Sequence, residues 1–139
     1  MSLFGIFDIA GSGMRAQNVR LNLTASNLAN SESIATDAED VYRARHPVFS
    51  TVLKKVGGVE RNMNAGVETI GIVESQREPP KRYEPGHPLA DDEGYIYGSN
   101  VDTIEEMTNM ISASRSYQTN VEMMNASKKL LLETLKIGQ

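Results

Sequence analysis

His87, Asp91, Asp92 and Glu93 fall within seven residues and make the best case for chemistry in this chain. An imidazole and three carboxylates are donors that hold divalent cations. A bound ion needs convergent ligands, however, and adjacent aspartates on an extended segment diverge. The second histidine, His46, lies forty-one residues upstream. The cluster therefore reads as a polar turn ordered by Pro85 and Pro88, with no metal or cofactor assigned to it. Other routes to catalysis are no better supported. Serines are abundant, but no Gly-x-Ser-x-Gly elbow occurs. The glycines of GIFDIAGSG form neither GxGxxG nor a phosphate-binding P-loop, and no strand precedes them. Cysteine is absent, which excludes disulfides, thiolate metal sites and a cysteine nucleophile. The reading is of a chain that is not an enzyme and has no small-molecule substrate.

Bulk properties point the same way. The 139 residues make one modest domain, and 14 basic against 18 acidic side chains leave a net charge of −4. That balance gives no electrostatic reason to bind nucleic acid. Tryptophan is absent, while methionine occurs seven times. The opening MSLFGIFDIAGSGMR has no basic residue ahead of its apolar patch, and Asp8 interrupts that patch. It is a poor secretory signal, so export without a cleaved signal is the alternative to a cytoplasmic life.

The elements that must position these residues divide the chain in three. Residues 1–35 hold an N-terminal helix and its turn. Leu3, Phe7, Ala10, Met14, Gln17, Leu21, Thr24 and Leu28 recur at spacings of three and four. Residues 36–100 form a β-rich insert. YRARHPVF suggests an edge strand, VETIGIVES a second, and Tyr95–Tyr97 a short third. KKVGGVERNMNAG carries turn residues, and SESIATDAEDV reads as irregular. Residues 101–139 hold a closing helix capped by Asn100 or Asp102, with Asp102-x-x-Glu105 resembling a capping box. Its trace is Met107, Met110, Ser114, Tyr117, Val121, Met124, Lys128, Leu131 and Leu135. The fold class is thus α+β. Long terminal helices pair antiparallel as a coiled-coil-like layer, and a small β insert lies between them. Arg15 and Arg20 are then placed to meet Glu122.

Both helices are unusual away from their apolar traces. TNMISASRSYQTN contains a single charged residue, Arg115, and ASNLANSES surrounds Leu28 with only Asn, Ser and Ala up to Glu32. Exposed helices ordinarily carry charge, and Asn, Ser and Thr are weaker helix formers. In a self-assembling polymer, every helix face packs on a copy or a relative. Uncharged small residues there avoid like-charge repulsion and allow close approach. The isolated helices are then weak and order on assembly. A helical hairpin packed on its own β insert is the plainer alternative.

At this point the residues resemble a known family. LNLTASNLANSESIAT is similar to the N-terminal signature of the flagellar rod and hook proteins, with Asn27, Ala29, Asn30 and Thr36 in the motif's neighbourhood. The run from Tyr83 is more specific. Tyr83, Pro85, His87, Pro88, Ala90, Gly94 and Tyr95, followed by Asn100, Val101 and Asp102, resemble the segment before the closing helix in proximal-rod members. The resemblance spans the chain. It implies a structural subunit of the bacterial flagellar basal-body proximal rod, located where the rod crosses the periplasmic space. It further implies passage through the flagellar type III export apparatus without signal cleavage. The terminal helices would assemble with other rod proteins and further copies. The assembly interface would comprise Leu3, Phe7, Ala10, Met14, Leu21, Leu28, Met107, Met110, Tyr117, Val121, Met124, Leu131 and Leu135. A helical adaptor or export-chaperone-like module is the other class that would use such seams.

Overall fold

The computed structural model describes residues 3–55 and 63–137. Helix α1 (Leu3–Ala29) opens the chain and helix α2 (Thr103–Ile137) closes it. Between them lie β1 (Ile34–Ala35), β2 (Arg45–Lys55), β3 (Met63–Glu74), β4 (Lys81–Tyr83) and β5 (Tyr95–Gly98). The α+β class and the two long terminal helices are as the sequence leads one to expect. The two-residue strand β1 lies within a stretch expected to be irregular, and it is too short to carry a hydrophobic period. Much of KKVGGVERNMNAG falls outside the described residues.

The end of α1 explains the Asn and Ser of its last turn. The final carbonyls of a helix have no intrahelical partner. Here Asn30 Nδ2 donates to the Ser26 carbonyl (2.8 Å) and Ser31 Oγ to that of Leu28 (2.8 Å). Ser33 Oγ then donates to the Asn30 carbonyl (2.8 Å), carrying the chain into its turn. At the other helix, Asp102 is the N-cap: its Oδ1 accepts from Ile104 N (2.9 Å) and Glu105 N (3.1 Å). Glu105 in the first turn and Lys136 in the last complement the helix dipole.

The strands form two small antiparallel sheets. One has the order β1-β5-β4, with Ala35 and Lys81 flanking Tyr97 from its two sides. Ile96 of β5 is its buried core residue. The other is the β2–β3 hairpin, whose register shifts between Val48 and Phe49 so that Ile70 stands unopposed. This hairpin packs against α1, where Val67 N donates to Ser12 Oγ (3.2 Å). A two-stranded hairpin is marginal alone, so the helix supplies its support.

Two buried asparagines fix the root of that hairpin. Asn27 of α1 acts as a strand neighbour to Arg45: its Nδ2 donates to the Arg45 carbonyl (3.0 Å), and its Oδ1 accepts from Arg45 N (2.9 Å). Tyr42 also donates its hydroxyl to Asn27 Oδ1 (2.9 Å). Asn100, expected as a helix cap, works as a junction instead. Its Oδ1 accepts from Ala44 N (2.8 Å), while Nδ2 donates to the Arg77 carbonyl (2.7 Å) and, at 3.4 Å, to that of Ser75. Successive residues at the start of β2 are thereby held from α1 and from the entry to α2.

Removal of the Asn27 amide, which is fully buried, leaves Arg45's N–H and carbonyl without this partner and the Tyr42 hydroxyl with Ser26 Oγ (3.2 Å). Asn27→Ala is expected to lower stability by about 2–4 kcal/mol, read by urea unfolding. Asn22→Ala, on the exposed side of the same helix, should stay within about 0.5 kcal/mol. Equal effects for the two would refute the clamp.

Candidate assembly interface

The helices run antiparallel. A Cβ built on Gly13 would meet Asn120 Nδ2 at 3.0 Å, and Arg20 near the other end of α1 donates to Asn109 Oδ1. Arg20 therefore takes an amide partner, not Glu122, and Arg15 lies exposed beside the hairpin. Among the described residues neither arginine forms an ion pair with Glu122.

The buried face of α2 departs from its apolar trace by one residue at alternate positions. Met110, Tyr117, Met124 and Leu131 are half-buried, as the heptad reading requires. Their alternates are Glu106, Ala113, Asn120 and Ser127, where the sequence trace has Met107, Ser114, Val121 and Lys128. Ala113 is fully buried (0% exposed), whereas Met107 is 56% and Leu135 62% exposed. The single trace thus resolves into an inner seam and an outer flank carrying Met107 and Leu135, with Val121 half-buried between them. The reason is steric: α1 offers Ala10 (0% exposed) and Gly13 at this seam, and close helix approach favours small partners over Met or Val. On α1, Phe7, Met14, Leu21 and Leu28 are half-buried. The side chain of Leu3 lies outside the described residues.

The seam is not wholly satisfied. Gln17 Oε1 and Glu106 Oε2 are buried with no hydrogen-bond partner among the described residues. Among the described residues, the one ion-pairing contact of the Glu106 carboxylate is with His46, whose Nδ1 lies 3.9 Å from Oε1. On the opposite side of α1, a cleft of ≈ 460 Å³ separates the helix from the hairpin and is bordered by Asp8, Arg15, Val19, Val52 and Thr69.

The segment from Tyr83 is a tightly folded turn. Asp91 Oδ1 accepts from Glu93 N (3.0 Å) and Tyr95 N (2.7 Å), and His87 Nδ1 accepts from Leu89 N (3.1 Å). Those atoms are engaged in shaping the loop. Gly94 has φ +84°, and a Cβ there would sit 3.0 Å from both Pro85 Cβ and Tyr83 Cε2, so glycine is required twice over. Tyr83 meets Tyr95 edge to face at 5.1 Å, and Lys81 Nζ lies 3.9 Å above the Tyr95 ring. Desolvation works to lower the Lys81 pKa. A hydrogen bond to Tyr97 and the charges of Tyr97, Glu93 and Asp91 outweigh it and raise the pKa above the ordinary lysine value.

Comparison with known proteins decides what this architecture is. Residues 7–32 match the family described as "Flagella basal body rod protein", and residues 92–137 match "Flagellar basal body rod FlgEFG protein C-terminal". The flagellar basal-body rod protein FlgC of Salmonella typhimurium is 46% identical over 139 residues, covering both chains entirely. FlgC of Escherichia coli O6:H1 is 47% identical with the same full coverage, and that of Buchnera aphidicola from Schizaphis graminum is 38% identical. The chain belongs to the FlgC family. It is a structural protein of the flagellar basal-body rod. The two matched regions hold almost all of both terminal helices, the elements this FlgC-family chain devotes to its small-residue seam. The residues most informative about that seam were missed by the apolar trace. Burial of Ala113, Asn120 and Ser127 has a sequence signal of its own: they recur every seven residues.

The register makes an adjacent-residue test possible. Ala113→Leu is expected to cost about 1–3 kcal/mol by overpacking, while Ser112→Leu on the exposed side stays within about 0.5 kcal/mol. Thermal unfolding of the two variants measures the difference. A larger loss at residue 112 would reverse the assignment.

Proposed function

We propose that this chain is a subunit of the proximal rod, assembling through its terminal helices with other rod proteins and with further copies of itself. The observation that carries this is the surface of α2. Ile104, Met107, Ile111, Leu130, Leu132 and Leu135 are each about half exposed or more. A single domain rarely leaves that much apolar surface on one helix unless it meets a partner. Polymer packing supplies the partner and also accounts for uncharged exposed positions such as Ser112, Gln118, Thr119 and Asn125.

In this reading the helices form the inner wall of the drive shaft, and the two small sheets lie outside it. The residues proposed for the interface are those of the α1 and α2 traces, with the exposed Met107 and Leu135 facing neighbours and the half-buried Met110, Tyr117, Val121, Met124 and Leu131 nearer the pairing within the subunit. Location in the periplasmic space, delivery by the flagellar type III export apparatus without signal cleavage, and a purely structural role without catalysis belong to the same proposal. The full-length match to FlgC proteins favours a rod subunit over a free-standing helical adaptor.

Deletion of the gene is expected to abolish motility and to leave basal bodies without a rod in electron micrographs. Intact rods in the deletion strain would defeat the proposal. Leu21→Asp places a charge in the half-buried face of α1 and should also prevent motility, with the β insert still folded by circular dichroism of the secreted protein. Normal swimming of that variant would remove Leu21 from the interface.

A further inference from the structure

The β2–β3 hairpin is held firmly at one end and loosely at the other. At its root, Asn27 pairs with both backbone groups of Arg45, and Asn100 accepts from Ala44 N. Ser75 N also donates to the Ala44 carbonyl (2.7 Å). Beyond the bulge at Val48 and Phe49 the hairpin runs beside the first half of α1. Among the described residues, one hydrogen bond joins the two there, from Val67 N to Ser12 Oγ at 3.2 Å. The ≈ 460 Å³ cleft lies between Ser12, Ala16 and Val19 on the helix and Val52, Val67 and Thr69 on the hairpin. Side chains that face a gap forgo the dispersion contacts of a close-packed interior. Val67 accordingly stays 40% exposed beside the helix.

The bulge supplies a pivot between the firm half and the loose half. It interrupts the ladder at Ile70, which stands unopposed and is 65% exposed. Gly71 follows, and a Cβ there would meet nothing within 4 Å, so a bend at this point displaces no neighbour. Turning about the bulge breaks one hydrogen bond and a loose contact. Both amide clamps at the root stay closed.

The loose half covers one face of α1. Ser12 and Ala16 are buried and Val19 is half-buried. These residues lie four and three apart, on a side of the helix separate from the Ala10 and Gly13 that meet α2. A rod subunit whose terminal helices pack on neighbours needs such a face free, and here its own hairpin occupies it. The hairpin in turn needs a surface, because two strands alone are marginal. In the free subunit α1 provides that surface. In an assembly a neighbour can take its place, and Leu53, Ile70 and Ile72 are exposed to meet one.

We propose that the outer half of the hairpin, residues 49–53 with 65–69, is a strap. In the free subunit it lies on the α1 face carrying Ser12, Ala16 and Val19. On assembly it swings about the bulge and uncovers that face. This rests on the rod-subunit reading and adds a conformational step to it.

The absence of native cysteine allows a direct test. A Cβ on Gly66 would lie 3.7 Å from Ser12 Cβ, a separation that a disulfide spans. The double variant Ser12→Cys/Gly66→Cys is expressed in cells lacking the wild-type gene. The purified full chain and isolated basal bodies are each oxidised with copper phenanthroline. Thiols left free are counted, after denaturation, by the mass added with N-ethylmaleimide. The purified chain is expected to close an intrachain disulfide, and chain in basal bodies to close it at least about tenfold less. Equal closure in basal bodies would leave the strap seated in the rod and overturn the proposal. A purified chain that does not close the disulfide would overturn it equally, since the strap would not lie on α1. Hydrogen exchange of the unsubstituted free chain reads the pivot without any substitution. Val67 N–H is expected to exchange at least about tenfold faster than Ala44 and Arg45 N–H, and equal protection of the three would remove the pivot. Absence of the unsubstituted chain from basal bodies would defeat the rod reading, whereas the exchange result bears on the pivot alone.

Discussion

The structure depends on how the backbone at the start of β2 is held. Ala44 and Arg45 enter a strand whose neighbour on one side is β3 and whose other side faces a helix. A buried N–H or carbonyl there must find a partner or lose the hydrogen bond it made to water. Asn27 and Asn100 each present an amide, a group with the donor and acceptor of a peptide bond, so each completes a strand-like pairing that no strand supplies. One amide comes from the last turns of α1 and the other from the residues just before α2. The hairpin is therefore oriented by the same two elements that form the helical layer. This clamp couples the β insert to the helices through directional bonds. The small apolar core, chiefly alanines with Val41 and Ile96, contributes far less area than a typical domain core.

The inner seam follows from that economy of size. With Ala10 and Ala113 fully buried and Gly13 against Asn120, the helices approach where side chains are smallest. Large residues such as Met110 and Tyr117 are only half-buried beside the contact. Closely paired helices leave their larger side chains around the rim, available to a second layer of packing. The same choice weakens each monomer, because small and polar residues bury little apolar surface and have modest helix propensity.

How much of this is legible in the sequence differs between elements. The two helices and their order are legible from spacing alone, and the first half of β2 and the greater part of β3 from alternation and β-branched content, whereas residues 54–55 and 63–66, read as turn, extend the two strands. The cap at Asp102 is legible because capping is local chemistry. The inner seam is only half legible. An apolar trace selects Met107 and Val121 because hydrophobicity is its only criterion, whereas close approach selects Ala113 and Asn120 by volume. The clamps are illegible for a different reason: Asn27 reads as one of several small uncharged positions in ASNLANSES, and its partner Arg45 is eighteen residues away. Nothing local distinguishes it from Asn22 or Asn30. Even the cap assigned to Asn100 is plausible locally and is overruled by a backbone N–H at Ala44 that only the folded chain brings near.

Charge placement connects these observations to assembly. Along the middle of α2, from residue 108 to 120, Arg115 is the only charged side chain. Acidic residues (Glu105, Glu106) occupy the first turn of α2, and lysines (Lys128, Lys129, Lys136) outnumber Glu133 in its last third. In a monomer that arrangement does little beyond complementing the dipole, since solvated charges contribute small energies. In a shaft of parallel subunits it has a stronger consequence. In the proposed assembly, neighbours packed along this middle stretch would meet few charges, so a shift of a few residues would encounter little like-charge repulsion. The uncharged stretch of α2 is thus suited to accept copies and relatives alike, which is what the proposed rod assembly asks of it.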